Sequence, residues 1–278
     1  MMRFLKYEFM RKSSFKDDFI SIILFFSIIY SSYNYINSFQ SKHLKFNFLD
    51  FIIILLTNPR NICIIIIFGF IILVNDIVFD YDFKEQIFVR IKSRKLWWNA
   101  KVIVLFCKTI IYIFYLVLFS LTFSLLNFSF KFNWSTTLVN FKKNDFISET
   151  SINSLSSLMK VASFQYPIEA LFQIIVLLIL GLLVIGLFIM IIALIFNNRV
   201  FGILGGFLLW ILLLIPLYEF KSTFIDSILF NHINYLSHNI DNYNYFMKDL
   251  LNSMLYLTLL IILFYFIGYK ISSRRDFN

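Results

Sequence analysis

The sequence predicts an all-α integral membrane protein with six transmembrane helices and both ends on the cytoplasmic side. Three observations carry that expectation. Of 278 residues, 60% are hydrophobic and only 15% are charged, whereas soluble domains carry about 25% charged residues. The apolar residues gather into runs suited to crossing a hydrocarbon core, which takes about 20 residues of helix. The basic residues cluster beside alternate ends of those runs, as retention of positive charge on the cytoplasmic side requires.

The first span runs from Phe19 to Ile36, behind Arg3, Lys6, Arg11, Lys12 and Lys16. A basic stretch before an apolar run also resembles a secretion signal. Ser31-Ser32-Tyr33-Asn34 offers no small-x-small cleavage pattern, so the run is read as an uncleaved first helix. Phe46 to Thr57 is apolar but only twelve residues long, carries Asp50, and ends at Asn58-Pro59. That is too short to span, and it is expected as an interfacial or re-entrant piece on the outer side. The remaining spans are Ile62 to Val78, Ala100 to Asn127, Ile168 to Phe196, Val200 to Tyr218 and Leu250 to Ile271. Their apolar residues are continuous rather than alternating, which argues against a transmembrane barrel.

In this arrangement the cytoplasmic pieces carry fifteen basic residues and the longer outer loops nine. The whole chain, 1–278, reads as one transmembrane domain. Its outer loops, 37–61, 128–167 and 219–249, are long for connectors. They are rich in Asn, Ser, Tyr and Phe, a composition that suits either a cap or a linker.

Several function classes lose support. The net charge of +9 lies beside the apolar spans, which fits contact with anionic lipid head groups rather than nucleic acid. Cys63 and Cys107 both fall inside apolar runs and read as small buried hydrophobes. Gly181 and Gly186 have the mutual spacing of a phosphate-binding loop, but Leu187-Phe188 follows them where Lys and Ser or Thr are needed. ATP hydrolysis by this chain, and enzymatic activity in general, are therefore not expected. His232, His238 and Asp241 sit close together in sequence, but their spacing matches no metal pattern, so no metal is expected. The spans lack the several buried acids of an ion relay, which weakens an ion-coupled carrier.

The loop 79–99 carries the most information. On a helix, Phe83, Ile87 and Ile91 fall on one face with Phe88 beside them, while Lys84, Glu85, Lys92 and Lys95 take other faces. Trp97 and Trp98 mark the return to the membrane interface, where indoles are favoured. Such a helix either lies on the inner leaflet or presents its apolar ridge to a groove on a soluble partner.

The acidic stretch from Asp76 to Asp82, followed by Ser93-Arg94-Lys95-Leu96-Trp97-Trp98-Asn99-Ala100-Lys101, resembles the permeases of ABC type-2 exporters. Met1 to Lys12 is similar to the short basic interfacial helix that opens those chains. The resemblance covers most of the chain as architecture, and at residue level about Asp76 to Lys101. It implies a permease that exports an amphipathic cargo such as a peptide or bacteriocin, a lipid-like molecule or a drug. A separate cytoplasmic ABC ATPase, in two copies, would hold ATP and Mg. It would dock on a coupling helix carrying Phe83, Ile87, Phe88, Arg90, Ile91 and Arg94. A second permease copy, identical or not, is also implied. One departure is that Asp80-Tyr81-Asp82-Phe83-Lys84-Glu85-Gln86 lacks the glycine of the family's Glu-x-x-x-Gly-Thr-like turn. The ridge serves equally a membrane anchor or assembly scaffold that transports nothing.

Two further features stay open in the sequence. Gly202 and Gly206 form a small-xxx-small pair, suited to packing within one subunit or to a dimer contact. Lys108 lies within the third span and either lines a polar cavity or extends its head to the inner interface. The expected location is the cell membrane, and substrate-contacting residues are not legible.

Overall fold

Backbone groups that enter an apolar medium must bond within their own segment, and the described residues do so as helix. The computed structural model of the chain describes residues 15–40, 45–78, 94–140, 149–196, 198–214, 229–238 and 242–274. No strand occurs among them; the one sheet-like pairing is an isolated bridge between Asn47 and Ser129. The helices are α1 (Phe15–Gln40), α2 (Phe48–Thr57), a π-helical segment (Asn61–Ile67) continuing into α3 (Phe68–Val78), and α4 (Arg94–Asn127). They continue as α5 (Thr136–Asn140), α6 (Glu149–Ala162), α7 (Pro167–Phe196), α8 (Arg199–Leu214), α9 (Leu229–Ile233) and α10 (Tyr243–Arg274).

Three of these are long and apolar enough to cross a membrane: Lys95–Asn127, Pro167–Phe196 and Tyr243–Ser273. The α2–α3 pair qualifies as a fourth when its two limbs are taken together, although they are bent by 81°. The most apolar, α7, is the hub. It packs against α10, α8, α4, α2 and α3, and is buried along most of its length. In contrast, α10 exposes Leu251, Leu255, Leu259, Leu263 and Phe266 along one side, an apolar stripe suited to lipid.

Close approaches fix how the helices run past one another. A tight turn joins α7 to α8, closed by Asn198 N–H donating to Ala193 C=O (3.2 Å). Gly202 and Gly206 then face Ala193 and Ile189 of α7, so α8 returns antiparallel along α7 in the same subunit. At the far end of the bundle from α2, the start of α4 is clamped to the end of α10. There the Trp98 indole is fully buried over Gly268, and its Nε1–H donates to Tyr265 C=O (3.1 Å). Tyr265 Oη donates to Asn99 Oδ1 (2.8 Å), and Lys95 Nζ stands 5.4 Å from the Tyr269 ring centre.

The clamp corrects the sequence reading of 79–99 as loop. Residues 94–99 already belong to α4, because no Gly or Pro interrupts them and both indoles are buried. Of the two alternatives for Phe46–Thr57, an interfacial or a re-entrant piece, burial of every residue of α2 argues against the interfacial one, while the 81° bend into α3 fits a re-entrant or broken span. Helix α2 lies among α1, α4 and α7, with its first turn tied to Ser129 just beyond α4. Two connections expected as outer loops hold helices as well: α5 and α6 in one, α9 in the other.

Candidate functional site

The α2–α3 bend begins with a missing donor. Pro59 has no N–H, so Leu55 C=O loses its helical partner. Asn61 replaces it, its Nδ2 donating to Leu55 C=O at 3.1 Å. The same amide reaches Ser32 Oγ at 2.8 Å, while Ser31 Oγ lies 3.0 Å from Asn61 Oδ1. One buried Asn thus repairs the break and ties it to α1. Beyond it, Trp210 Nε1–H donates to Cys63 C=O (2.7 Å) and Tyr112 Oη to Ile66 C=O (3.0 Å). Irregular backbone at membrane depth is tolerated where protein groups satisfy it in this way, and π segments occur often at functional sites.

A second polar knot sits at the first turn of α2. Asn47 Nδ2 donates to Asn133 C=O (2.9 Å), and Ser129 Oγ donates to Asn47 Oδ1 (2.7 Å). Asp50 Oδ2 accepts from Asn47 N–H (3.0 Å). Asp50 is 0% exposed, and the hydroxyl and backbone N–H of Ser135 also approach its carboxylate.

The third cluster is built by the 229–238 segment, which enters the bundle between α7 and α10. Leu229, Phe230 and Ile233 are buried, and Ile233 occupies the space left by the missing Cβ of Gly181, its Cδ1 only 2.7 Å from that position. Tyr235 Oη lies 2.6 Å from Gln165 Oε1 and 3.1 Å from Gln173 Oε1, and Gln165 Nε2 donates to Gln173 Oε1 (2.8 Å). Burial pushes the Tyr235 hydroxyl well above its ordinary value, with Glu169 and Tyr243 adding to the effect, so it stays a donor. Beside it, His232 Nδ1 and His238 Nε2 each lie 2.8 Å from Ser253 Oγ. His238 Nδ1 donates to Tyr235 C=O (3.0 Å).

Trp134 joins this cluster to the second knot, donating from Nε1 to Gln165 C=O (2.6 Å). Around it opens a cleft of about 370 Å³ lined by Trp134, Val139, Phe164, Gln165, Tyr166 and Pro167 among others. Its aromatic lining, with amide groups and no ionisable group but the outer Tyr166 phenol, suits an uncharged amphipathic group rather than an ion.

The sequence-predicted residues fall unevenly. Phe83, Ile87, Phe88, Arg90 and Ile91 lie outside the described residues, as do Met1 to Lys12 and Asp241. Arg94 opens α4. Lys108 is half-buried on α4, and Gly202 and Gly206 lie against α7 as described. His232 and His238 do come together, yet on Ser253 rather than on Asp241. No group of three metal-ligating side chains occurs among the described residues.

Sequence reasoning missed Asn61, Ser253 and Gly268. For Asn61 a signal existed, because a Pro two residues before a buried Asn announces a carbonyl in need of a donor. Ser253 and Gly268 had none, since each acts on a residue far away in sequence. No protein family, curated protein or solved structure matches this chain.

Proposed function

We propose that the chain is the membrane-spanning subunit of an ATP-driven exporter of the ABC type-2 kind. It would cross the cell membrane six times with both ends inside. Its amphipathic cargo would be a peptide or bacteriocin, a lipid-like molecule or a drug. A separate ATPase pair would supply the energy, docking on Phe83, Ile87, Phe88, Arg90, Ile91 and Arg94, and a second permease copy would complete the pathway.

The observation that supports this most is the difference between the two ends of the bundle. One end gathers α2, α5, α6 and α9, with their three polar clusters and the neutral cleft. The other end holds the last described residue of α3, Val78, and the first of α4, Arg94, so the stretch that would carry the coupling helix is attached on the side opposite the cap. An exporter needs that separation, with the engine on one face and a closable exit on the other.

The test is purification from native membrane in mild detergent, with an ATPase assay. A stoichiometric ABC ATPase, whose stimulation is lost in Ile87→Asp and Ile91→Asp with the complex still assembled, supports the reading. Recovery of the chain alone, without ATPase activity, refutes it.

The buried Asp50 favours a second reading, an ion-coupled carrier. That reading requires transport to persist without ATP hydrolysis and to collapse with the ion gradient.

A further inference from the structure

Hydrogen positions around Ser253 are fixed by exclusion. Tyr235 C=O can only accept, so the His238 nitrogen facing it at 3.0 Å, Nδ1, carries a proton. In the neutral ring Nε2 is then an acceptor, and the Ser253 hydroxyl must donate to it across 2.8 Å. Ser253 has one proton, now committed, so its oxygen accepts from His232, whose Nδ1 must carry a hydrogen. The result is a one-way chain from His232 to Ser253 to His238 to the Tyr235 carbonyl. Every donor in it is used once, with the His238 ring neutral.

That chain holds a plug. Ser253 belongs to α10 and is 4% exposed, while both histidines belong to the 229–238 segment that wedges Ile233 against Gly181 of α7. His232 also lies against the Tyr256 ring, with centroids 4.2 Å apart. A proton added to His238 goes on Nε2 and points at a hydroxyl hydrogen. The hydroxyl then turns to His232, whose ring accepts it at Nδ1, so one added proton reverses the chain, whereas protonation of both rings leaves Ser253 facing two donors.

We propose that His232, Ser253 and His238 form a proton-released latch, which seats the 229–238 plug between α7 and α10 while neutral and frees it when the histidines protonate. The latch rests on the geometry of this cap alone and stands whether or not the chain exports anything.

The surrounding charges are few. On α10, Asp249 favours the charged form of His238 and Tyr256 flanks His232, while Tyr243 and the α7 residue Glu169 act on Tyr235. Lys248 is exposed on α10. Within the segment, each histidine has the other as neighbour. Against these, burial dominates and pushes both imidazoles down from their ordinary value, with His238 a further cause at His232. A freed segment therefore binds protons more readily than a seated one. Seating is favoured at neutral pH and lost as pH falls from about 6.5, the ordinary histidine value, downward.

The experiment uses the full chain in lipid nanodiscs. Hydrogen exchange of the 229–238 amides is followed between pH 7 and pH 5, corrected for intrinsic exchange chemistry. The opening constant is expected to rise by at most about 25-fold for each histidine that stays neutral when seated. The His232→Gln/His238→Gln variant should lose that pH dependence, and Ser253→Ala should open the segment already at pH 7. Histidine-labelled NMR of the unmodified chain gives a readout that needs no variant, and His232 and His238 should both titrate below the ordinary value. Titration of both at or above it, pH-independent opening in the unmodified chain, or unchanged pH dependence in the double variant would each overturn the latch.

Discussion

Gly268→Ala is the sharpest test of how the two halves of the bundle are joined. A Cβ at this position would overlap the Trp98 ring at Cζ2 and Cη2 and stand 2.7 Å from Cε2. The indole is rigid and fully buried, so it must leave its seat rather than flex. Overpacking of this kind costs roughly 1–3 kcal/mol, and the displaced indole also loses its bond to Tyr265 C=O, worth about 1 kcal/mol. Replacing Gly by Ala inside a helix returns about 1 kcal/mol, leaving a net loss of roughly 1–3 kcal/mol. For a chain of this size each kcal/mol moves Tm by about 2–4 °C, so thermal unfolding in detergent should fall by roughly 3–10 °C. Gly205→Ala is the control. Its added Cβ meets the terminal methyl of Ile192, a flexible side chain on the same hairpin, and the net change should stay within about 1 kcal/mol. Equal losses in the two variants, or an unchanged Tm with unshifted tryptophan fluorescence in Gly268→Ala, would refute the clamp.

Asp50→Asn should leave stability unchanged or raise it by about 1–2 kcal/mol at pH 7 in denaturant titration, because it removes a buried charge while keeping an acceptor for Asn47 N–H. A large loss would mean that the charge itself is required. Trp210→Phe leaves Cys63 C=O without its side-chain donor, as Tyr112→Phe does for Ile66 C=O; each should cost about 1–3 kcal/mol in the same titration. Asn61→Ala strands Leu55 C=O beside Pro59 and cuts the tie to Ser32, so it should cost more than either, roughly 2–4 kcal/mol.

What the sequence made legible follows from range. Apolar run length is a local property, and it located α4, α7 and α10 to within about two turns of their ends. It also identified Asn58-Pro59 as a break, because proline acts on its own neighbours. What α2 does after that break depended on partners elsewhere in the chain. A twelve-residue apolar run can be interfacial or re-entrant, and only the cover that Ser129 and Asn133 give its first turn argues against the interfacial choice. The histidines show the same limit. Spacing within 232–241 matched no familiar metal pattern, and it gave no hint of the partner that matters, since Ser253 lies on the next helix and carries no local mark.

The three polar clusters share a physical logic that bears on what the cap can do. Each places a side chain where the backbone or a neighbour lacks a partner: Asn61 for the absent proline amide, Asn47 for the loop after α4, Ser253 for two imidazoles. Apolar contacts would hold these segments as well, but they lack direction and change little between the states of a moving part. Hydrogen bonds buried among hydrophobic side chains are costly to leave half-made, so a segment held by them is either seated or released, with little between. Of the three, the amide knots have no titratable member except Asp50, whereas the Ser253 chain cannot hold both rings protonated. The bend around Asn61 is therefore built to stay closed at any pH, and the plug at Ile233 is the part of this end that a change in the medium can move.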